Sequence, residues 1–494
     1  MNITAKTLCF EKSEYASDID LSISPALTLF TAIQHLPWSI WLDSCHSEHV
    51  DSRYDILVWQ PSTTLCTDGE VTDICCYGEI RFSADELTHE KITELTSKID
   101  PLSLIDSYQK KHLEKIILDE SLHSLPFKGG ALGYFSYDLG RRFEQLPLQA
   151  KHDIDLPDMA MGLYNQAIVV DNKTGDIFLV CPEEQRLLIT IWLSAQLEQY
   201  ALKAVENFSL VTPWQANMDK KEYADKFDAV QEYLLSGDCY QINLAQRFSS
   251  DYQGDEFSAY LALRAENNAP FSAFMRFEHS AILSISPERF LQLTEKHVQS
   301  KPIKGTKPRH IDEVIDKQHA DALKVSPKDQ AENVMIVDLL RNDISKVCVA
   351  GSVKVPKLFD IESFPAVHHL VSTVEGTLSK QHNAYDLLRG CFPGGSITGA
   401  PKIRAMEIIE SLEPHRRSIY CGAIGYISHC GNMDTNISIR TLVCKHGAQG
   451  QHVQENKIHC WAGGGLVADS TVESEYQETY DKVGRILPIL SQLI

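Results

Sequence analysis

The sequence predicts a mixed α/β fold, because two kinds of apolar pattern alternate along it. Short apolar runs of strand length, such as residues 56–59 and 167–170, are separated by polar turns. Longer segments carry apolar residues at helical spacing behind capping residues, as in residues 219–235. With 494 residues, the chain is long enough for a large core and for more than one structural region.

The order of these patterns along the chain suggests where the two regions meet. The first half combines its strands with helical patterns over residues 85–120 and 185–207. Residues 208–217 are polar and contain a proline, which predicts a linker before the helix of residues 219–235. We therefore expect an amino-terminal region and a carboxyl-terminal region that pack as one globular unit. Their predicted bounds are residues 1–210 and 218–494.

The composition excludes several classes of protein. Charged residues make up 23% and hydrophobic residues 43%, as in globular proteins, and no apolar segment reaches the roughly 20 residues of a membrane span. The amino end lacks the pattern of a signal peptide. The net charge of −21 disfavours nucleic-acid binding, and the 13 cysteines lack metal-binding or redox spacing. We expect a cytoplasmic protein that binds neither membranes nor nucleic acid.

Lys304 and Glu288 are the candidate catalytic residues. Lys304 lies between Ile303 and Gly305 at the predicted end of a strand, sixteen residues after Glu288. A lysine acts as a nucleophile only when its site lowers its pKa, and a carboxyl group nearby can supply a proton. The alternative for Lys304 alone is an ordinary solvated cation.

Acidic residues at helical spacing suggest a metal site. Ser326 is a good helix cap, and Glu332 follows it in the predicted helix. Glu475 and Glu478 are three residues apart in a second predicted helix near the carboxyl end. If the two helices face one another, these carboxylates provide the oxygen ligands that Mg²⁺ prefers. The alternative is that they cap or pair within their own helices.

A glycine-rich loop over residues 393–402 precedes another apolar-periodic helix. Gly394 and Gly399 have the spacing of a nucleotide-binding loop, but the lysine and hydroxyl residue of that motif are absent. The loop amides, with Ser396 and Thr398, suit a carboxylate instead, and a tight turn is the alternative. Arg440 is a second candidate for carboxylate recognition, with a structural ion pair as its alternative.

Four segments together resemble the chorismate-utilising enzyme family. They are Pro-Ile-Lys-Gly-Thr at residues 302–306, Ala-Glu-Asn-Val-Met-Ile-Val-Asp-Leu-Leu-Arg-Asn-Asp at 331–343, the loop at 393–402 and Glu-Tyr-Gln-Glu-Thr at 475–479. The resemblance covers residues 218–494 as the chorismate-binding catalytic region. Residues 1–210 resemble the amino-terminal region of anthranilate synthase component I. The implied fold is a sandwich of two large antiparallel sheets flanked by helices.

The resemblance also implies a reaction. Lys304 would attack ring carbon 2 of chorismate while Glu288 protonates the departing 4-hydroxyl group, and ammonia would then enter at carbon 4. The product is 4-amino-4-deoxychorismate, a precursor of 4-aminobenzoate and folate. Mg²⁺ held by Glu332, Glu475 and Glu478 would anchor the ring carboxylate.

The resemblance extends to substrate-binding residues. They are Asn243, Gly305, Thr306, His369, Gly395, Ser396, Thr398, Tyr426, Arg440, Gly463, Gly464 and Gly465. Gln241 occupies the place where isochorismate synthases use a lysine to activate water, and glutamine cannot act as that base. Synthesis of anthranilate, or of isochorismate or salicylate, and chorismate or tryptophan binding without turnover remain alternatives.

Two further expectations follow from the family. Some relatives bind tryptophan in a separate pocket, and the comparable residues here are Ser44, Asp51, Ser52, Arg53, Tyr54, Pro270, Phe271 and Ser272. The first of these segments departs from the family pattern, so a structural loop is the alternative. No glutamine-hydrolysing domain is recognisable, which predicts a heterodimer whose separate glutamine amidotransferase subunit supplies ammonia.

Overall fold

A computed structural model describes residues 1–8, 24–46, 49–82, 87–201, 206–363, 367–447 and 456–493. The described strands are β1 (Asn2–Thr7), β2 (Ser39–Asp43), β3 (Tyr54–Val58), β4 (Thr63–Asp68), β5 (Val71–Tyr77), β6 (Arg81–Phe82), β7 (Leu87–Thr88), β8 (Lys91–Ser97), β9 (Ile117–Leu118), β10 (Gly130–Phe135), β11 (Met159–Tyr164), β12 (Ala167–Asp171), β13 (Asp176–Pro182), β14 (Ser209–Leu210), β15 (Gln215–Ala216), β16 (Gln241–Gln253), β17 (Phe271–Arg276), β18 (Ser280–Ser286), β19 (Arg289–Thr294), β20 (His297–Ser300), β21 (Ile303–Pro308), β22 (Lys354–Ser363), β23 (Val367–Thr377), β24 (Gly399–Ala400), β25 (Ala423–Ser428), β26 (Met433–Asn436), β27 (Thr441–Lys445) and β28 (Asn456–Leu466).

The described helices vary from short connecting segments to long packed elements. They are α1 (Pro25–Thr31), α2 (Pro101–Leu113), α3 (Arg186–Ala201), α4 (Lys220–Leu235), α5 (Glu256–Asn267), α6 (Glu313–Lys324), α7 (Pro327–Ser345), α8 (Ala384–Cys391), α9 (Lys402–Leu412), α10 (Val472–Val483) and α11 (Leu487–Ser491). Within the described residues, none of these helices combines the length and the apolar character needed to cross a membrane.

Two large sheets form the centre of the molecule. The first runs in the order β14-β16-β28-β27-β18-β17-β2-β3-β12-β13-β1-β9, and β15 and β24 also pair with β16. The second runs in the order β21-β23-β20-β19-β26-β25-β10-β11-β4-β5-β8, and β22 also pairs with β23. Pairing in both is antiparallel apart from β1 with β9. The predicted pair of large antiparallel sheets flanked by helices is therefore confirmed.

The first sheet is buried on both faces. Ile40 and Val58 belong to the apolar cluster that both sheets share, whereas Trp41 and Leu57 belong to a cluster formed with the outer helices. Since neighbouring residues point to opposite faces of a strand, β2 and β3 need apolar side chains throughout. This is why the sequence shows continuous apolar runs in these strands.

Two details differ from the sequence predictions. The sequence predicts helix over residues 85–120, but β8 forms the edge of the second sheet there and α2 is the α-helix of this stretch. Residues 83–86 lie outside the described part of the chain. Residues 208–217 contain β14 and β15, which both pair with β16, so this segment is part of the first sheet. Each sheet includes strands from both predicted regions, and the division into two regions stays a prediction.

Candidate active site

Glu288 lies where the chain crosses from one sheet to the other. β18 belongs to the first sheet and β19 to the second, and Glu288 stands between them, only 5% exposed. β21 follows at the edge of the second sheet and carries Lys304 near its start. The register of β21 with β23 is irregular directly after Lys304, where Gly305 has a φ of 77°. Glycine adopts this conformation without strain.

Ser396 connects the two candidate catalytic residues. The Lys304 Nζ donates a hydrogen bond to the Ser396 carbonyl at 3.2 Å. The Ser396 hydroxyl donates to Glu288 Oε1 at 3.0 Å. The structure thus brings together the predicted nucleophile, the predicted proton donor and the glycine-rich loop.

Burial shifts the ionisation of both groups in the direction that the chemistry needs. It raises the pKa of Glu288, and the Lys304 charge only partly opposes this. It lowers the pKa of Lys304, and the nearby charge of Lys482 lowers it further, whereas Glu332 and Glu288 oppose the change. A carboxyl group that keeps its proton and an amine that loses its proton suit an acid and a nucleophile.

The glycine-rich loop packs against α7 and is shaped by a hydrogen bond of its own. A Cβ added at Gly395 would lie 2.5 Å from the Leu339 side chain on α7. Thr398 is fully buried, and its hydroxyl donates to the Gly394 carbonyl at 3.1 Å, so it shapes the loop. Lys402 Nζ, at the end of the loop, binds the Asp343 carboxylate of α7 at 2.6 Å.

The neighbouring strands β16 and β28 place the predicted residues Asn243 and Gly465 opposite one another. Asn243 is 6% exposed, and its Oδ1 has no hydrogen-bond partner within the described residues. A Cβ added at Gly465 would overlap the Gln241 amide, and one at Gly463 would meet the Leu244 carbonyl at 2.6 Å. The absence of side chains at Gly463 and Gly465 therefore leaves room for the Gln241 amide and the β16 backbone.

The predicted magnesium ligands lie on two helices, Glu332 on α7 and Glu475 with Glu478 on α10. Glu475 and Glu478 are on α10, and a Cβ added at Gly464 would be 2.7 Å from Glu475 Oε2 and 3.4 Å from Glu478 Oε1. Glu475 is only 2% exposed, and its Oε2 has no partner within the described residues. Burial raises the pKa of Glu332 on α7, and the charge of Glu478 adds to that effect.

These donors suit Mg²⁺, since the ion prefers carboxylate oxygens and a buried carboxylate oxygen without a partner needs one. In the described part of the chain, however, the group whose three potential ligand atoms all lie within 4.8 Å of one another is His49, Asp51 and Glu362. Lys301 already pairs with Asp51 at 3.2 Å and with Glu362 at 2.7 Å. The three glutamates are less tightly gathered, so metal binding would require them to move closer.

His369 is hydrogen-bonded to the Gly305 backbone, and the charge of Arg440 acts on its imidazole. Burial, together with the Arg440 charge, lowers the pKa of His369 to about 3, so the imidazole is neutral. Its Nδ1 lies 2.8 Å from the Thr306 hydroxyl. Burial and the neighbouring Arg485 lower the pKa of Arg440. An anionic ligand would relieve this unfavourable burial of positive charge.

A separate cavity of about 490 Å³ lies between the sheets. Of the residues predicted for tryptophan binding, all but Ser52 line it; these are Ser44, Asp51, Arg53, Tyr54, Pro270, Phe271 and Ser272. Tyr426, which was predicted to contact chorismate, also lines this cavity, and its charged neighbours there are Asp434 and Arg289. Neither Lys304 nor Glu288 is among the residues that line this cavity.

Two residues of the site were missed from the sequence. Lys482 Nζ binds Glu478 Oε1 at 2.7 Å and donates to the Gly463 carbonyl at 2.6 Å. Its position four residues after Glu478 on one helix was an available signal. Arg417 is buried and donates to the carbonyls of Ile397 and Asn243, which ties the glycine-rich loop to β16. Arg417 also pairs with Glu413, four residues earlier, but no local pattern marks its contacts with the loop and β16, because those carbonyls are distant in sequence.

The family model described as chorismate binding enzyme matches residues 48–488. The chain therefore belongs to the chorismate binding enzyme family.

Named relatives include two kinds of synthase. The chain is 50% identical over 463 residues to aminodeoxychorismate synthase component 1 of Escherichia coli K12, which covers 94% of this chain and 95% of that protein. It is 33% identical over 463 residues to anthranilate synthase component 1 of Aquifex aeolicus, covering 91% of this chain and 88% of that protein. The crystal structure of anthranilate synthase component I from Streptococcus pneumoniae TIGR4 has a TM-score of 0.72 at 30% identity, covering 89% and 93% of the two chains.

Proposed function

We propose that this enzyme replaces the 4-hydroxyl group of chorismate with an amino group and forms 4-amino-4-deoxychorismate, on the route to 4-aminobenzoate and folate. The hydrogen bonds of Ser396 to both Lys304 and Glu288 carry the proposal, because they gather a nucleophile and an acid at one place. The 50% identity to a protein named aminodeoxychorismate synthase component 1 supports the same reaction.

In the first step, the Lys304 amine forms a bond to ring carbon 2, the ring double bonds shift and the bond from carbon 4 to oxygen breaks. Glu288 gives its proton to the departing hydroxyl group, which leaves as water. In the second step, ammonia bonds to carbon 4, the double bonds shift back and the bond from carbon 2 to nitrogen breaks, which releases the neutral Lys304 amine. The new ammonium group returns one proton to Glu288. The raised pKa of Glu288 and the lowered pKa of Lys304 support these roles.

Other residues would hold the substrate. Arg440 and the amides of the glycine-rich loop suit the carboxylates of chorismate, with Asn243, Thr306 and His369 beside them. Glu332, Glu475 and Glu478 would hold Mg²⁺, which anchors the ring carboxylate and stabilises negative charge there. Gln241 in place of a lysine argues against water as the nucleophile.

Ammonia would come from a partner. The designation component 1 in the relatives implies a second component, and we assign to it the hydrolysis of glutamine. The two proteins would form a heterodimer in the cytoplasm, where the free cysteines of the described residues stay reduced.

The product decides between the candidate reactions. Purified protein is incubated with chorismate, Mg²⁺ and an ammonium salt, and the product is identified by mass spectrometry and nuclear magnetic resonance. Nitrogen at carbon 4 supports the proposal, whereas anthranilate would move the protein to the neighbouring class. Chorismate binding without turnover, even with a glutamine amidotransferase added, would favour a binding protein.

The cavity of about 490 Å³ supports a second site, for tryptophan. Most of the residues expected at such a site line it, and its wall combines aromatic, polar and charged side chains. Calorimetric titration with tryptophan should show saturable binding. Tryptophan should also slow alkylation of Cys430, an exposed thiol in the cavity wall. Absence of binding heat would favour a structural role for these loops.

A further inference from the structure

Lys482 forms an ion pair with Glu478, one of the proposed magnesium ligands. Its Nζ lies 2.7 Å from Glu478 Oε1, with both side chains partly exposed. An ammonium group at this distance takes the position on the carboxylate that a metal ion would use.

The backbone of β28 holds Lys482 in this place. β27 pairs with β28 only as far as Cys460, so the carbonyl of Gly463 lies on a part of β28 beyond that pairing. Lys482 Nζ donates to this carbonyl at 2.6 Å. The ammonium therefore has two acceptors, one on its own helix and one on the strand beside the site.

Glu475 and Glu332 differ from Glu478 in their contacts with cations. Glu475, one turn earlier on α10, is 2% exposed and keeps its Oε2 without a partner within the described residues. Among the described residues, the ion pair of Glu332 on α7 is a long one of 4.0 Å to Lys328, and the Lys304 charge also acts on this carboxylate. Of the three proposed ligands, Glu478 therefore has the closest ammonium group, that of Lys482 at 2.7 Å.

We propose that Lys482 competes with Mg²⁺ for Glu478, so that metal binding must displace the ammonium and move Glu478 toward Glu475 and Glu332. This inference rests on the proposed function, because it assumes the magnesium site. It accounts for the incomplete gathering of the three glutamates. The displaced ammonium stays at the Gly463 carbonyl, on the strand that borders the substrate. Lys482 is therefore a positioning residue whose contact changes when the metal binds.

The test compares Mg²⁺ affinity in the absence of substrate. Isothermal titration calorimetry with Mg²⁺ alone should give about tenfold tighter binding for Lys482→Met than for the wild type, since competition and charge repulsion both disappear. Lys328→Met is the matched control, because it removes one cation four residues before Glu332 and should change the affinity by less than about twofold. Lys482→Arg keeps the competing charge and should show no such gain.

The outcomes separate this inference from the proposed reaction. Equal or weaker Mg²⁺ binding by a folded Lys482→Met protein, or an equal gain in the Lys328→Met control, overturns the competition. A crystal structure with Mg²⁺ in which Lys482 still pairs with Glu478 overturns it as well. Loss of folding in Lys482→Met leaves this crystal structure as the deciding measurement. If no variant binds Mg²⁺, the magnesium site itself is refuted, while the product assay still decides where nitrogen is added.

Discussion

The Lys304 amine and the Glu288 carboxyl group have pKa values that burial shifts in opposite directions. The same loss of hydration disfavours the charged form of each residue. Ser396 contacts both side chains, so the two groups lie beside the same residue of the glycine-rich loop.

Replacing Lys304 with alanine should abolish the covalent route. We expect the formation of 4-amino-4-deoxychorismate to fall by more than about 100-fold, as when a nucleophile is removed from other enzymes. Incubation with chorismate and Mg²⁺ but without ammonia should give a covalent adduct on the wild type in intact-protein mass spectra. Lys304→Ala should give none. Lys307→Ala, on the same strand, is the control. Full 4-amination by Lys304→Ala would contradict the assigned role.

At the scale of single elements, local signals predicted much of the structure. Asp219 caps α4 and Ser326 caps α7, as expected from their position before apolar-periodic segments. The acidic spacing on α10 was also visible in the sequence. By contrast, the sequence predicts helix where β8 lies. This edge strand has no alternation of buried and exposed residues that would mark it as a strand.

Contacts between distant elements were the part that the sequence left open. The Ser396 bridge joins positions 92 and 108 residues apart, and Arg417 contacts a carbonyl 174 residues away. No periodicity encodes such contacts, because they depend on how the sheets pack. The motifs could be placed near one site only through the family resemblance. Tyr426 lines the other cavity together with Asp434 and Arg289, and its contact with chorismate stays a prediction.

Two buried ionisable groups outside the candidate active site, His429 and Asp55, affect the stability of the whole molecule. When the pH changes, their contributions to the free energy of unfolding change in opposite directions. Burial lowers the pKa of His429 to about 3 and raises the pKa of Asp55 to about 6. Below the ordinary pKa of histidine, about 6.5, the unfolded chain binds a proton at His429 that the folded state does not. Acidification toward pH 5 therefore costs stability at His429. Asp55 has the opposite sign, because the folded state takes up its proton first.

These signs can be separated by difference measurements. Between pH 7 and pH 5, each buried group changes the free energy of unfolding by on the order of 1–2 kcal/mol, at about 1.4 kcal/mol per pH unit. The stability of His429→Gln, relative to the wild type, should rise as the pH falls, whereas that of Asp55→Asn should decline. Urea unfolding at pH 5, 6 and 7 gives both differences. Because unrelated groups cancel in each difference, curves parallel to the wild type would contradict the assignment of these pKa shifts.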